Sequence, residues 1–143
     1  MGGMTEPLPS TATMFRRAVV LCCPHCGARR TFIRRWLGHH PRCRTCGIRW
    51  HREHGFELGP VALNVVFTFF LLGAAMVVAF VATAPDYPAF ALTVGFILAA
   101  ILIPMIAYPW TYTLWLAFDL ATHKPDDKEL REAAEAVGAR SAG

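Results

Sequence analysis

The chain has 143 residues, of which 55% are hydrophobic and 17% are charged, and its formal net charge is +4. This length allows one ordinary domain or two small modules, and the composition is too apolar for a typical soluble domain of this size. The charges are also segregated, because Asp86 is the single charged residue between Pro60 and Phe118. This pattern predicts a polar head joined to a membrane body. The basic residues that precede Pro60 are Arg16, Arg17, Arg29, Arg30, Arg34, Arg35, Arg42, Arg44, Arg49 and Arg52.

The first fifteen residues lack the basic start and apolar run of a secretory signal peptide. We therefore expect the cysteines to stay in a reducing compartment, where metal ligation is favoured over disulfides. Residues 1–14 are rich in small residues, proline and threonine and are expected to be disordered. Phe15–Leu21 is predicted to be a short strand that leads into the first cysteine pair.

Two Cys-x2-Cys-Gly units follow, at Cys23–Gly27 and Cys43–Gly47. Their separation is typical of four-cysteine zinc sites, in which the glycine permits the tight turn after each pair. Four thiolates fill a tetrahedron and leave no open position, so we predict a structural metal rather than a catalytic one. Zinc is the favoured metal, and iron, as in rubredoxin-type electron carriers, is the alternative. The predicted ligands are Cys23, Cys26, Cys43 and Cys46, with Cys22 a spare thiol.

Residues 15–57 are accordingly predicted to form a small β zinc ribbon. So short a module cannot bury an adequate core alone, and we expect metal binding to supply much of its folding free energy. The head arginines are expected to offset the thiolate charge and to contact anionic lipid headgroups. Nucleic-acid binding is a lesser alternative, because membrane topology already requires these arginines.

Residues 58–108 are predicted to form a transmembrane hairpin of two spans. Val61–Ala84 extends about 36 Å as a helix, which is enough to cross a hydrocarbon core of about 30 Å. Ala89–Tyr108 is the second span, and residues 84–88 connect the two. Asn64 is expected to make a hydrogen bond between the helices.

Pro109 is predicted to end the second span and to begin an interfacial helix over residues 109–123. Trp110, Tyr112 and Trp115 suit the headgroup region of a membrane. One long kinked helix is the alternative. Residues 124–143 are predicted to form a polar tail that contains a short exposed helix, Asp126–Gly138.

Arginine and lysine residues occur in the head and the tail but not in the connection between the spans. The positive-inside rule therefore predicts two passes with both termini in the cytoplasm. The chain shows no Ser/His/Asp arrangement, phosphate-binding glycine loop or paired carboxylates, so we expect it not to be an enzyme.

The segment "CPHCGARRTFIRRWLGHHPRCRTCG", followed by Gly-Pro and two spans, resembles the small bacterial membrane proteins catalogued as domain-of-unknown-function family 983. The resemblance implies an inner-membrane location, with the four cysteines as metal ligands and Gly59–Pro60 as the start of the membrane part. This chain departs from the family pattern in "FEL" before Gly59 and in the aromatic "PWTYTLW" after the second span. Some members are encoded beside haem–copper oxidase genes, which implies an accessory or assembly role.

The sequence thus favours a non-enzymatic, membrane-anchored zinc-ribbon protein that acts as an accessory subunit or assembly factor of a membrane protein complex, such as a respiratory one. A rubredoxin-like iron carrier at the membrane is the alternative, and a membrane-tethered nucleic-acid module ranks third.

Overall fold

The computed structural model describes residues 8–29, 33–35, 38–51 and 55–141, which form four helices and a short hairpin. The predicted disorder of residues 1–7 and the arginines at 30 and 52 lie outside these ranges. The elements are α1 (Thr11–Val19), β1 (Ile33–Arg35), β2 (Gly38–His39), α2 (Leu58–Thr83), α3 (Ala89–Thr122) and α4 (Asp127–Ser141).

The prediction of a small β zinc ribbon is wrong, because the cysteine-bearing part of the chain is organised by helices. Among the described residues, β structure is confined to the antiparallel pair β1–β2 and one isolated bridge between Arg42 and Arg49. The strand expected over Phe15–Leu21 is instead largely the second half of α1. We use "head" below for α1, the two cysteine turns, residues 111–120 of α3, and α4.

α1 begins within the segment that was expected to be disordered. The Ser10 hydroxyl caps the helix by accepting a hydrogen bond from the backbone N–H of Thr13 at 3.4 Å. Met14 and Ala18, one turn apart, are both buried in the core of the head. Burial of this narrow apolar stripe, rather than the length of the helix, stabilises nine residues that would not stay helical alone.

α2 and α3 form an antiparallel hairpin with specific side-chain contacts near the head end. The Asn64 side-chain amide donates to the Pro104 carbonyl of α3 at 2.9 Å, which confirms the expected hydrogen bond between the helices. Gly59 packs directly against the indole ring of Trp115. Towards the connecting turn an apolar groove of about 670 Å³ lies between the two helices, and Gly73 and Gly95 have open space beside them.

α3 runs through Pro109 without a break, so the predicted division into a span and an interfacial helix of residues 109–123 is not found. The single long helix, left open as the alternative, is the arrangement present. Tyr112, Leu116 and Leu120 repeat every four residues and are at most 1% exposed. This stripe lies in the core of the head, so Tyr112 does not face lipid headgroups.

α4 extends past Gly138, the residue expected to end it. The Asp126 carboxylate accepts a hydrogen bond from the Glu129 backbone N–H at 2.7 Å and so caps the helix. Ala133 is 3% exposed, because α4 packs on the head instead of lying free as a tail.

Both α2 and α3 are long and apolar enough to cross a membrane. Their apolar side chains are mostly exposed over the part beyond the head: Phe69 is 75% exposed and Phe90 is 84% exposed. The core of the described residues therefore lies in the head and not between the two long helices.

The contact between Gly59 and Trp115 yields a matched pair of substitutions. Gly59→Ala places a methyl group in the Trp115 ring and should lower the free energy of unfolding by about 1–3 kcal/mol through overpacking. Gly73→Ala adds the same methyl group to open space on the same helix and should leave stability unchanged or slightly raised. Denaturant titration in detergent measures both, and equal stability of the two variants would contradict the packing described.

Candidate metal centre

The two cysteine turns, Cys23–Gly27 and Cys43–Gly47, have the same backbone design. In the first turn the Gly27 N–H donates to the Cys23 carbonyl at 2.8 Å, and in the second the Gly47 N–H donates to the Cys43 carbonyl at 3.0 Å. Both glycines are left-handed, with φ of 76° and 74°. Only glycine adopts this conformation without strain, which explains the residue after each cysteine pair.

The turns bring the four predicted ligands together. The Sγ atoms of Cys23 and Cys46 are 3.8 Å apart, those of Cys26 and Cys43 are 3.7 Å apart, and all four sulfur atoms lie within 4.8 Å of one another. A regular tetrahedron with metal–sulfur bonds of about 2.3 Å has edges of about 3.8 Å. The four cysteines could therefore bind one metal ion, and this spacing suits zinc and iron equally.

The pKa values of the cysteine thiols differ because the thiols form hydrogen bonds with one another. Hydrogen bonding with Cys26, and then with the other two ligands, raises the pKa of Cys23 far above a thiol's usual range. Hydrogen bonding from Cys23 also holds the pKa of Cys43 well below that range and lowers the pKa of Cys26 to about 7. Four neighbouring thiolates would repel one another without a cation. A bound metal ion would displace the remaining protons, because thiolates are the form that ligates it.

The first cysteine turn is held by α1. The Arg17 guanidinium donates to the carbonyl of Pro24 at 3.3 Å and to that of His25 at 2.6 Å, and its side chain lies against Gly27. These charge-assisted bonds satisfy carbonyls that a tight turn leaves outside any helix or strand. They also place a positive charge on the first cysteine turn.

α1 is in turn fixed to α3 at the end of α1 nearest the cysteines. The Thr113 hydroxyl donates to the Ala18 carbonyl at 3.0 Å, and the Trp110 indole N–H donates to the Val19 carbonyl at 3.1 Å. Because the last carbonyls of a helix have no partner within it, these two side chains act as caps supplied by another helix. The first cysteine turn is thus tied to α3 through α1.

The second cysteine turn is held by α4. Arg42 donates to the Gly47 carbonyl at 3.3 Å, and Glu132 of α4 forms ion pairs with Arg42 at 3.5 Å and with Arg49 at 2.8 Å. The side chains of Glu132 and Arg49 are 33% and 50% exposed, so each ion pair contributes modestly.

Close packing reinforces this arrangement. Gly47 lies so near the Ala133 carbonyl of α4 that a side chain would overlap it. Further along α4, Arg140 donates to the Arg44 carbonyl at 3.2 Å. α4 therefore closes the outer side of the second turn. Neither this contact of α4 nor that of Arg17 with the first turn was predicted from the sequence.

The four ligands differ in exposure. Cys23 and Cys43 are 0% exposed and belong to the core cluster with Trp50, whereas Cys26 and Cys46 are partly buried and lie at its edge. The centre thus has an inner pair of sulfurs on the head core and an outer pair nearer the surface.

Cys22 is buried but lies outside the group of four. Its thiol donates to the Val20 carbonyl at 3.6 Å, and within the described residues the cluster that could hold a metal comprises the four other cysteines. Among those residues the cluster includes no histidine, although His25 lies within the first cysteine turn.

A family model described as "Protein of unknown function (DUF983)" matches residues 33–120. The match confirms the resemblance seen in the sequence. It spans the second cysteine turn, both long helices and the buried part of α3, and it begins after Cys23 and Cys26. No curated protein and no solved structure matches the chain.

The ligand assignment predicts that substitutions at two buried cysteines have different effects on metal binding. Cys43→Ser should reduce the metal content of the purified protein to background, because one hard hydroxyl replaces a thiolate in a closed site. Cys22→Ser, at another buried position outside the cluster, should retain full metal content. Elemental analysis of both variants decides this, and metal loss from Cys22→Ser would show that the ligand set is wrong.

The contact of α4 with the second turn is testable with two left-handed glycines. Gly47→Ala and Gly55→Ala, at φ of 74° and 89°, each incur backbone strain of about 1–2 kcal/mol. Only the first also pushes on the Ala133 carbonyl, since Gly55 has ordinary contact with Leu58 alone. Hydrogen exchange of α4 should be about tenfold faster in Gly47→Ala than in Gly55→Ala, a difference of about 1.4 kcal/mol. Equal exchange would mean that α4 does not depend on this contact.

Proposed function

Because the chain belongs to the DUF983 family, whose description assigns no activity, we propose its function from the arrangement of its own residues. The protein is a two-pass membrane protein with a structural metal centre, and it serves as a non-enzymatic accessory subunit or assembly factor of a membrane protein complex. A respiratory complex of the bacterial inner membrane is the favoured partner.

The exposure of apolar side chains supports insertion of α2 and α3 in a bilayer. A buried helix of a soluble protein can be as long and as apolar, but its side chains are covered by the rest of the chain. Here Phe70 is 71% exposed and Val81 is 75% exposed, and large apolar side chains surround both helices. A contiguous apolar surface that extends along both helices suits contact with lipid or with a membrane partner.

The distribution of basic residues supports the orientation that we propose for the chain in the membrane. The head contains Arg17, Arg42 and Arg49 around the cysteine turns, whereas residues 84–88 contain Asp86 and no basic residue. The positive-inside rule places the head and both termini in the cytoplasm and residues 84–88 on the opposite side.

The observation that carries the proposal is that α3 is one helix shared by the apolar hairpin and the core of the head. A metal ion held by the two turns would fix the head in one orientation on its own membrane helix. A tetrahedral four-thiolate centre also leaves no position for a substrate. These features suit a protein that presents a rigid surface at the membrane to a partner.

An iron electron carrier is the second candidate, and one observation favours it. The outer ligands Cys26 and Cys46 are partly exposed, so an electron could enter or leave through them. Nucleic-acid binding ranks third, because Arg17, Arg42 and Arg49 are engaged within the head itself.

Three measurements on one preparation separate these functions. The protein, tagged and expressed in its own host, is extracted in mild detergent and examined by native electrophoresis, elemental analysis and absorption spectroscopy. We expect a colourless protein with one zinc per chain that migrates with a stoichiometric membrane partner. Thiolate-to-iron absorption with iron at one per chain would favour the electron carrier instead.

The Cys43→Ser variant supplies the control for partner binding. It should remain in the membrane fraction, because α2 and α3 are unchanged, but it should lose the partner together with the metal. Cys22→Ser should keep both. Recovery of the wild-type protein only as a free monomer would contradict the accessory role.

A further inference from the structure

The end of α1 carries an apolar pair that no part of the described chain covers. Val19 is 55% exposed and Val20 is 59% exposed, although Ala18 beside them is 0% exposed. Outside α2, α3 and their connecting turn, the other exposed large apolar side chain among the described residues is Leu130, which stands alone. Two adjacent valines at a helix end are therefore a distinct surface feature of the head.

Hydrogen bonds to α3 fix where this pair lies along the long helix. The Trp110 indole donates to the Val19 carbonyl at 3.1 Å. Trp110 lies about 32 Å along α3 from Ala89 at about 1.5 Å per residue. A hydrocarbon core is about 30 Å thick, so α3 would leave it near Trp110 if the helix spans the bilayer from Ala89. The valine pair is thus held at the level of the bilayer surface, where tryptophan is enriched.

An apolar groove lies on the membrane side of the same tryptophan. Its volume is about 260 Å³, and it runs between α2 and α3 below the indole. Its lining residues are all apolar: Phe67, Leu71, Ile103, Ile106, Ala107 and Trp110. Trp110 therefore lies between this groove and the exposed end of α1. The apolar lining of the groove suits an acyl chain.

A positive charge lies on the same side of α1 as the valines. Arg16 is exposed, and it precedes Val19 and Val20 by three and four residues, a spacing that places all three on one helix face. An arginine beside apolar residues at a bilayer surface keeps its stem in the apolar region and its guanidinium at the headgroups.

We propose that this face of α1, together with the groove below Trp110, is a binding site for an anionic phospholipid of the leaflet on the head side. Val19 and Val20 enter the interface, Arg16 pairs with the headgroup phosphate, and an acyl chain occupies the groove. The site rests on the proposed membrane insertion of α2 and α3. It couples the lipid surface to α1, which holds the first cysteine turn through Arg17.

Photocrosslinking in lipid nanodiscs tests the site with the full, metal-loaded chain. A benzoylphenylalanine at position 20 in place of Val20 should yield phospholipid adducts, detected by mass spectrometry of the intact protein. The same probe at Ala134, exposed on α4, should yield several-fold less. Absence of a lipid adduct at position 20, or an adduct to another protein chain there, would overturn the proposal.

Two further experiments distinguish the possible reasons for a missing lipid adduct at position 20. The probe at Phe70, exposed in the middle of α2, reports insertion of the hairpin itself, so failure at Phe70 refutes the membrane span and failure at Val20 alone refutes only the lipid site. Arg16→Gln should lower the adduct at position 20 about fivefold in phosphatidylglycerol discs, as expected for one arginine at an anionic surface. The loss should be much smaller in phosphatidylcholine discs, where the choline ammonium offsets the charge of the phosphate, and an equal loss in both would contradict the role of the net headgroup charge.

Discussion

Four sulfur atoms must lie within bonding distance of one cation, yet each pair comes from a short turn that cannot hold its own position. The first turn depends on Arg17 of α1, and the second depends on Glu132 and Ala133 of α4. Both turns rest on the stripe of α3 that contains Tyr112 and Leu116. The metal centre is therefore the point at which segments distant in the chain meet, and the free energy of metal binding would stabilise all of them together.

The continuity of α3 connects this centre to the apolar hairpin. A flexible linker would let the head move independently of the two long helices, but α3 is a single helix from Ala89 to Thr122. Gly59 against Trp115, and Asn64 bonded to Pro104, fasten α2 to α3 near the same level. A change at the cysteines would thus be transmitted to the hairpin through packed helices, which is the property that an assembly or accessory protein needs.

Local patterns in the sequence were enough to predict the cysteine quartet, the two apolar helices and the role of Asn64, because ligand spacing and apolar length are local properties. The second half of α1 was predicted as a strand, because the helix depends on contacts of Met14 and Ala18 with a part of α3 about ninety residues away. Pro109 follows the local rule for a helix start, but packing of residues 111–120 in the core of the head keeps the helix continuous. The spacing of Tyr112 and Leu116 fits an interfacial helix as well as a protein core, and periodicity alone does not distinguish them.

Hydrogen exchange along α3 in nanodiscs, compared between metal-loaded and chelated protein, tests the central claim most directly. We expect residues 111–120 to be protected when the metal is bound and to lose protection on chelation, whereas residues 89–108 should stay protected in both states. The first segment draws its burial from the head, and the second belongs to the proposed membrane span. Unchanged protection of residues 111–120 after metal removal would contradict the dependence of the head on its metal centre.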